Sequence, residues 1–184
     1  GSNSTPFFAI LFLYYYRSRW IRNIKKNDTQ KARRFGNVFR FIDDLVAIND
    51  NNEFENCYKE IYPPELELKK ENVGYTSGSF LDLMICIENN KFNTNLYDKR
   101  DDFPFSVVRM PYLDSNIPSK ILYSSFGAEV LRYARNTSKI EVFLDNCNNL
   151  ILRMVKQGGR IERLSNVVNN IVGRHIDTFS KFCH

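Results

Sequence analysis

Apolar positions along the chain fall into runs of different period, and each period predicts a different element. Residues 6–16 (PFFAILFLYYY) are apolar throughout. Thr5 can cap a helix here, with Pro6 in the first turn, where a missing N–H costs nothing. The helix is expected to run to about Lys26. Phe7, Ile10, Leu11 and Tyr14 form one stripe, and Phe8, Phe12 and Tyr15 a second, so its first half is expected to be buried nearly all round. Its second half turns basic at Arg17, Arg19, Arg22, Lys25 and Lys26, which suits either a phosphate-facing patch or a solvated helix end.

Two shorter apolar runs, residues 38–42 and 45–48, flank the doublet Asp43-Asp44 without Gly or Pro between them. They predict a β-hairpin with the acids at its tip and both strands buried. Asn49 to Asn52 end the hairpin, and Glu53 to Ile61 predicts a short helix stopped by Pro63-Pro64. Residues 65–70 (ELELKK) alternate as a strand, and 71–79 read as a loop rich in Gly, Ser and Asn. Leu81, Leu83, Ile85 and Ile87 then keep period two, with Asn89-Asn90 as a tight turn and Phe92 to Tyr97 returning.

From Ile117 onward the period becomes helical. Ser119 starts one helix, with Leu122, Phe126 and Val130 in register. Ser138 and Glu141 make a capping box ahead of Ile140, Phe143, Leu144, Cys147, Leu150, Ile151 and Met154, ended by Gly158-Gly159. A last helix carries Ile161, Leu164, Val168, Ile171, Val172, His175 and Phe179, with His175 read as a core histidine. The expected fold is α+β. Residues 1–112 form a mixed part of antiparallel hairpins with packed helices, and 113–184 an all-α three-helix part.

Composition narrows the class. The chain has 184 residues, 43% of them hydrophobic and 26% charged, a folded composition sufficient for one or two domains. Its formal charge of +5 leans toward a polyanionic partner. Cys57, Cys86, Cys147 and Cys183 lie far apart, so neither a disulfide framework nor a zinc site is expected, and the compartment is read as reducing. With His175 and His184 the only histidines, a histidine-based site has little to draw on. The apolar run at residues 6–16 falls short of the roughly 20 residues that a bilayer span needs, so no membrane partner is expected.

The chemistry concentrates at Asp43-Asp44. Two adjacent carboxylates repel, and a cation relieves them. Mg²⁺ takes one or two carboxylates together with substrate phosphates, so the doublet suits it. A bend built from turn-tolerant Asp is the plain alternative. The cluster Asp98-Lys99-Arg100-Asp101-Asp102 reads as a solvated ion-pair loop.

Several segments, in order, resemble one family. Phe41-Ile42-Asp43-Asp44 resembles the aromatic-x-Asp-Asp signature of reverse transcriptases, and residues 1–6 resemble the loop before it that contacts template and incoming nucleotide. Residues 62–68, 79–83 and 96–103 follow in retroelement order, most like Penelope-like and related eukaryotic elements, and residues 114–118 and 131–135 continue the match. The resemblance covers essentially the whole chain. It implies the distal half of a polymerase palm followed by a helical thumb, acting as an RNA-directed DNA polymerase by two-metal nucleotidyl transfer.

Residue roles follow from the resemblance. Asp43 and Asp44 would hold Mg²⁺, Lys69 or Lys70 would stand near the leaving phosphate, and Asn3 and Ser4 would meet template and nucleotide. Phe80, Leu81, Tyr97 and Lys99 would form the primer grip. Arg132, Arg135, Arg153, Arg160 and Arg163 would contact the duplex backbone. The implied partners are an RNA template, a DNA primer, a deoxynucleoside triphosphate and an upstream part holding the fingers and the remaining catalytic Asp. An intracellular setting, nuclear or cytoplasmic, is implied too. Ile10 and Arg17 stand where related elements commonly carry acids, and no endonuclease-like segment is expected after the thumb. A non-catalytic nucleic-acid-binding module derived from such an element is the alternative, and a structural domain unrelated to nucleic acid a third.

Overall fold

The helical and two-residue periods build an α+β chain, seen in a computed structural model that describes residues 4–49, 52–72, 74–99, 103–105, 107 and 110–183. The first helices are α1 (Thr5–Asn27) and α2 (Thr29–Arg34). A 3-10 turn leads into β1 (Val38–Phe41) and β2 (Asp44–Ala47), followed by α3 (Glu53–Ile61). Next come β3 (Ser77–Phe80), β4 (Leu83–Glu88) and β5 (Lys91–Leu96). The chain then turns to α4 (Ser119–Asn136), α5 (Ile140–Lys156), α6 (Ile161–Arg174) and α7 (Ile176–Phe179). β1 and β2 form one antiparallel sheet; β3, β4 and β5 form another in that order. Among the described residues, no helix is long and apolar enough to cross a membrane.

The chain divides into two compact units, Gly1–Glu71 and Asn72–His184. The division expected after residue 112 therefore falls inside the second unit, where the three-stranded sheet and the four later helices lie together.

In the first unit, Phe35, Val38, Phe54, Cys57, Ile61 and Tyr62 form the core, with Trp20 edge-on to Phe35 at 4.6 Å between ring centroids. Only the middle of α1 reaches this core, through Leu13, Tyr16, Trp20 and Ile21. The first half of α1 is exposed, contrary to its expected burial. Phe7, Phe8, Ile10, Leu11, Phe12, Tyr14 and Tyr15 all face solvent, Phe8 with 64% of its surface free. The core is too short to cover eleven apolar residues on every side. In the hairpin, Val38 is buried while Phe39 and Phe41 are exposed, so burial takes one face of β1 and not both.

The second unit is organised on α4, whose Leu122, Tyr123, Phe126, Val130, Tyr133 and Ala134 are buried at helical spacing. Against it pack Phe143, Leu150 and Met154 of α5, Leu164 of α6 and Phe179 of α7. α4 and α6 approach closely at Gly127, where a Cβ would stand 3.0 Å from Val167 Cγ1. Gly158 ends α5 at φ +89°, and the Gly159 N–H donates to the Met154 carbonyl at 2.8 Å. Asn89 and Asn90, both with positive φ, turn β4 into β5 as expected.

Other expectations give way to tertiary contacts. Residues 65–70 form no strand, and the nearby sheet gains β3 from the polar 77–80 segment. Leu81 sits in the β3–β4 turn and not in a strand. Ser138 does not cap α5. Its hydroxyl accepts from the Thr94 N–H and bonds the Thr94 hydroxyl, both at 2.9 Å, while its own N–H donates to the Thr94 carbonyl at 2.9 Å. The last helix breaks at His175, which is half-buried at the α6–α7 junction and not sunk in the core.

Phe35→Ala empties the centre of the first unit and is expected to cost about 3–5 kcal/mol. Phe8→Lys, on the uncovered half of α1, is expected to change stability by no more than about 0.5 kcal/mol. Denaturant unfolding of the two variants beside the parent chain checks the contrast.

Candidate functional site

The register Phe41↔Asp44 leaves Ile42 and Asp43 as the two turn residues. Asp43 is thus in the turn, and Asp44 opens β2; the tip carries one acid and the strand beside it the other. Asp43 is exposed and Asp44 half-buried. Ile42 has φ +52°, while Asp43 does not share the positive sign. That sign pattern belongs to a type II′ turn, whose first central position normally takes Gly. A β-branched residue there is a backbone outlier.

Asp in a plain bend bonds its own backbone. Among the described residues, neither the Asp43 nor the Asp44 side chain forms a hydrogen bond or an ion pair. The two carboxylates are held by the chain beneath them. As a donor set they fit a hard divalent cation in kind and supply two of the carboxylates of a two-metal site. Among the described residues, no group of three His, Cys, Asp or Glu side chains stands together.

Two arginines hold the hairpin, one at its turn and one at the start of β1. Arg40 lies on the Val38 face of β1; its Nη1 donates to the Ile42 carbonyl at 3.3 Å and its Nη2 to the Ile10 carbonyl of α1 at 3.2 Å. Arg17 Nη2 donates to the carbonyls of Phe35 and Val38, each at 2.6 Å. Burial holds the Arg17 guanidinium below arginine's usual pKa, with nearby Tyr62 raising it and Arg40 lowering it further. Burial likewise raises the Tyr62 phenol, against the pull of Arg40 and Arg17. The sequence reading passed over Arg40. Its signal was a lone cation inside an apolar strand run, on the face opposite Phe39 and Phe41. A carboxylate at position 17 could not donate to those two carbonyls.

The two expected lysines differ in what they bond. Lys70 Nζ pairs with Glu55 Oε2 of α3 at 2.7 Å, while Lys69 is exposed. Both lie on irregular chain and not on the expected strand. Ser4 takes the N-cap position of α1 without a side-chain cap bond. Asn3, Arg100, Asp101 and Asp102 lie outside the described residues.

In the second unit, Phe80, Leu81 and Tyr97 come together at one end of the sheet. Leu81 and Asp82 form the turn, and the Tyr97 N–H donates to the Asp82 carbonyl at 2.8 Å. Lys99 follows, exposed. Arg135, Arg153 and Arg163 are exposed on the helices, and Arg160 is exposed at the N-cap of α6. Arg153, Arg160 and Arg163 cluster in sequence around the α5–α6 turn, and the Arg163 guanidinium lies 5.8 Å from the Tyr123 ring centre. Arg132 differs: its Nη1 pairs with Asp82 Oδ2 at 2.8 Å and its Nε with Glu129 Oε2 at 3.0 Å.

The chain thus contains the same turn twice. Phe41-Ile42-Asp43 and Phe80-Leu81-Asp82 each put an aliphatic residue at positive φ, +52° and +56°, followed by an Asp. In the second the carboxylate is bonded to an arginine. In the first it has no bonded partner among the described residues.

Ile42→Gly relieves the left-handed strain, which costs roughly 1–2 kcal/mol, against the extra chain entropy of Gly. The net expectation is a gain of about 0.5–1 kcal/mol in the unfolding free energy of the first unit, measured by denaturant titration.

Comparison with protein-family models, with curated proteins and with solved structures finds no match to this chain.

Proposed function

We propose that the chain is part of an RNA-directed DNA polymerase resembling retroelement reverse transcriptases, with the first unit in the distal palm and the later helices in the thumb. The observation that carries this reading is the pair Asp43 and Asp44, without a bonded partner among the described residues, on a strained two-residue turn. Strain of this kind concentrates where a site must present a group in one geometry.

In this reading Asp43 and Asp44 hold Mg²⁺, with an Asp from an upstream strand completing the set. The bound ions would lower the pKa of the primer 3′-hydroxyl and offset charge on the leaving pyrophosphate. The chain's own part is to position: Arg40 bonds the turn carbonyl beside the acids and Arg17 anchors the start of β1, so that little reorganisation is needed during transfer. Lys69 is free to approach a leaving phosphate, whereas Lys70 is engaged with Glu55. The exposed cations around the α5–α6 turn would meet duplex phosphates without reading sequence. The uncovered half of α1 suits a helix that packs against further polypeptide carrying the fingers and the rest of the palm.

A second reading is a nucleic-acid-binding module whose acid pair no longer does chemistry. The engagement of Lys70 by Glu55 favours it, because it removes one expected phosphate contact.

Primer extension by a polypeptide that includes the upstream segment separates the readings. Asp43→Asn is expected to lower extension on the order of 10²–10³-fold, the effect of deleting one charge-stabilising group. Equal extension by the variant would leave Asp43 no metal role. The chain by itself is expected to extend little or nothing.

Binding to an RNA–DNA hybrid, titrated at several salt concentrations, tests the helical face. Affinity should fall steeply with salt, and Arg163→Met should reduce the slope of log affinity against log salt by about 1. A slope indifferent to Arg163 removes it from the duplex contact.

A further inference from the structure

Side-chain bonds tie the three-stranded sheet of the second unit to the helices at its β3–β4 turn, on β5 and at the end of β4. Leu81 is held at φ +56° in a Leu-Asp turn, where no local residue favours that conformation. The conformation therefore depends on contacts from outside the turn. Two reach Asp82. Its carboxylate accepts from Arg132 Nη1 at 2.8 Å, and its carbonyl from the Tyr97 N–H at 2.8 Å.

Arg132 is itself fixed on α4. Its Nε donates to Glu129 Oε2 at 3.0 Å, and Glu129 is only 9% exposed. The guanidinium also lies 5.9 Å from the Tyr133 ring centre. The far end of the same sheet is held too, by Lys139 Nζ on Glu88 Oε2 at 2.5 Å, and the middle by the reciprocal Thr94–Ser138 bonds. Asn146 of α5 adds a bond to Asn95 at 3.0 Å.

From this geometry we infer that Arg132 is a positioning residue that locks the Phe80–Leu81–Tyr97 end of the sheet onto α4, so that hairpin and helices meet a ligand as one arm. Its charge is directed at two carboxylates and is not offered to a phosphate. The sequence expectation of a backbone contact at Arg132 is replaced by this role. Leu81, 37% exposed at the turn, is the group this arm would present. The inference rests on the polymerase reading only for the identity of the ligand, an RNA–DNA hybrid.

The test is amide hydrogen exchange at Tyr97 in the full chain, in Arg132→Met and in Asp82→Asn. Asp82→Asn leaves Arg132 with Glu129 and serves if Arg132→Met does not fold. Each variant is expected to speed Tyr97 exchange by about three- to fivefold, as suits a partly exposed ion pair. Phe126 and Val130 amides on α4 should not change. The double substitution should speed exchange no further than either single one, because both remove the same contact. Unchanged Tyr97 exchange, or effects that multiply in the double variant, overturns the proposal.

Hybrid binding gives a readout that a merely structural bridge would not move in this way. Arg132→Met should weaken binding at an unchanged salt slope, whereas Arg153→Met should lower the slope by about 1. A lowered slope for Arg132→Met makes it a phosphate contact and overturns the inference. Should the chain bind no hybrid at all, the polymerase reading falls, and the exchange result alone decides the coupling.

Discussion

Two neighbouring carboxylates stay at a bend without bonds of their own only when the backbone beneath them is held from below. Arg40 does this by bonding the carbonyl of Ile42 and, with the same guanidinium, the Ile10 carbonyl of α1. Arg17 holds the start of the strand through the carbonyls of Phe35 and Val38. Both cations are directed at backbone oxygens, so the acid side chains keep their full bonding capacity. A two-stranded hairpin of four-residue strands is marginal by itself. Its attachment to α1 by two arginines and to the Phe35 core by Val38 supplies what its own ladder lacks.

That attachment also explains the division within α1. Leu13, Tyr16, Trp20 and Ile21 serve the small core, and Arg17 serves the hairpin from the same stretch of helix. Among the described residues of the first unit, none is left to cover Phe7, Phe8, Ile10, Leu11 and Phe12. Helical spacing told which side chains want burial, but burial needs a second surface, and a pattern along one strand of sequence cannot specify that surface. The hydrophobicity of PFFAILFLYYY was legible; its exposure was not.

The same logic sorts the rest of the sequence reading. Where one period was sustained and the stop residue was strong, the element stood: α3 before Pro63-Pro64, α5 before Gly158-Gly159, and the Asn89-Asn90 turn with both residues at positive φ. Failures came where a tertiary partner overrode a local pattern. The alternation of residues 65–70 forms no ladder, and β3 formed from Ser77-Gly78-Ser79-Phe80, a segment with no strand pattern, because β4 offered it an edge. Ser138 had the spacing of a cap, yet Thr94 took its hydroxyl. At the candidate site the acids were visible in the sequence, while Arg40, which supports them, was hidden as one polar residue in an apolar run. Its job depends on a contact thirty residues away in α1.

The repeated turn bears on what the free acids mean. Phe-Ile-Asp and Phe-Leu-Asp fold into two-residue bends that share a positive φ at the aliphatic residue. If the Asp were there only to make the bend, the two carboxylates should be treated alike. They are not: Asp82 is bonded by Arg132, which is anchored by Glu129, while Asp43 has no bonded partner among the described residues and is followed by a second acid. Asp43 and Asp44 are adjacent acids, and like charges brought close together repel. A cation supplied from outside the protein offsets that repulsion, whereas a purely structural turn gains nothing from it. The difference between the two bends thus sets Asp43 and Asp44 apart from Asp82 on internal grounds, as the proposed charge-binding role requires, independent of any resemblance.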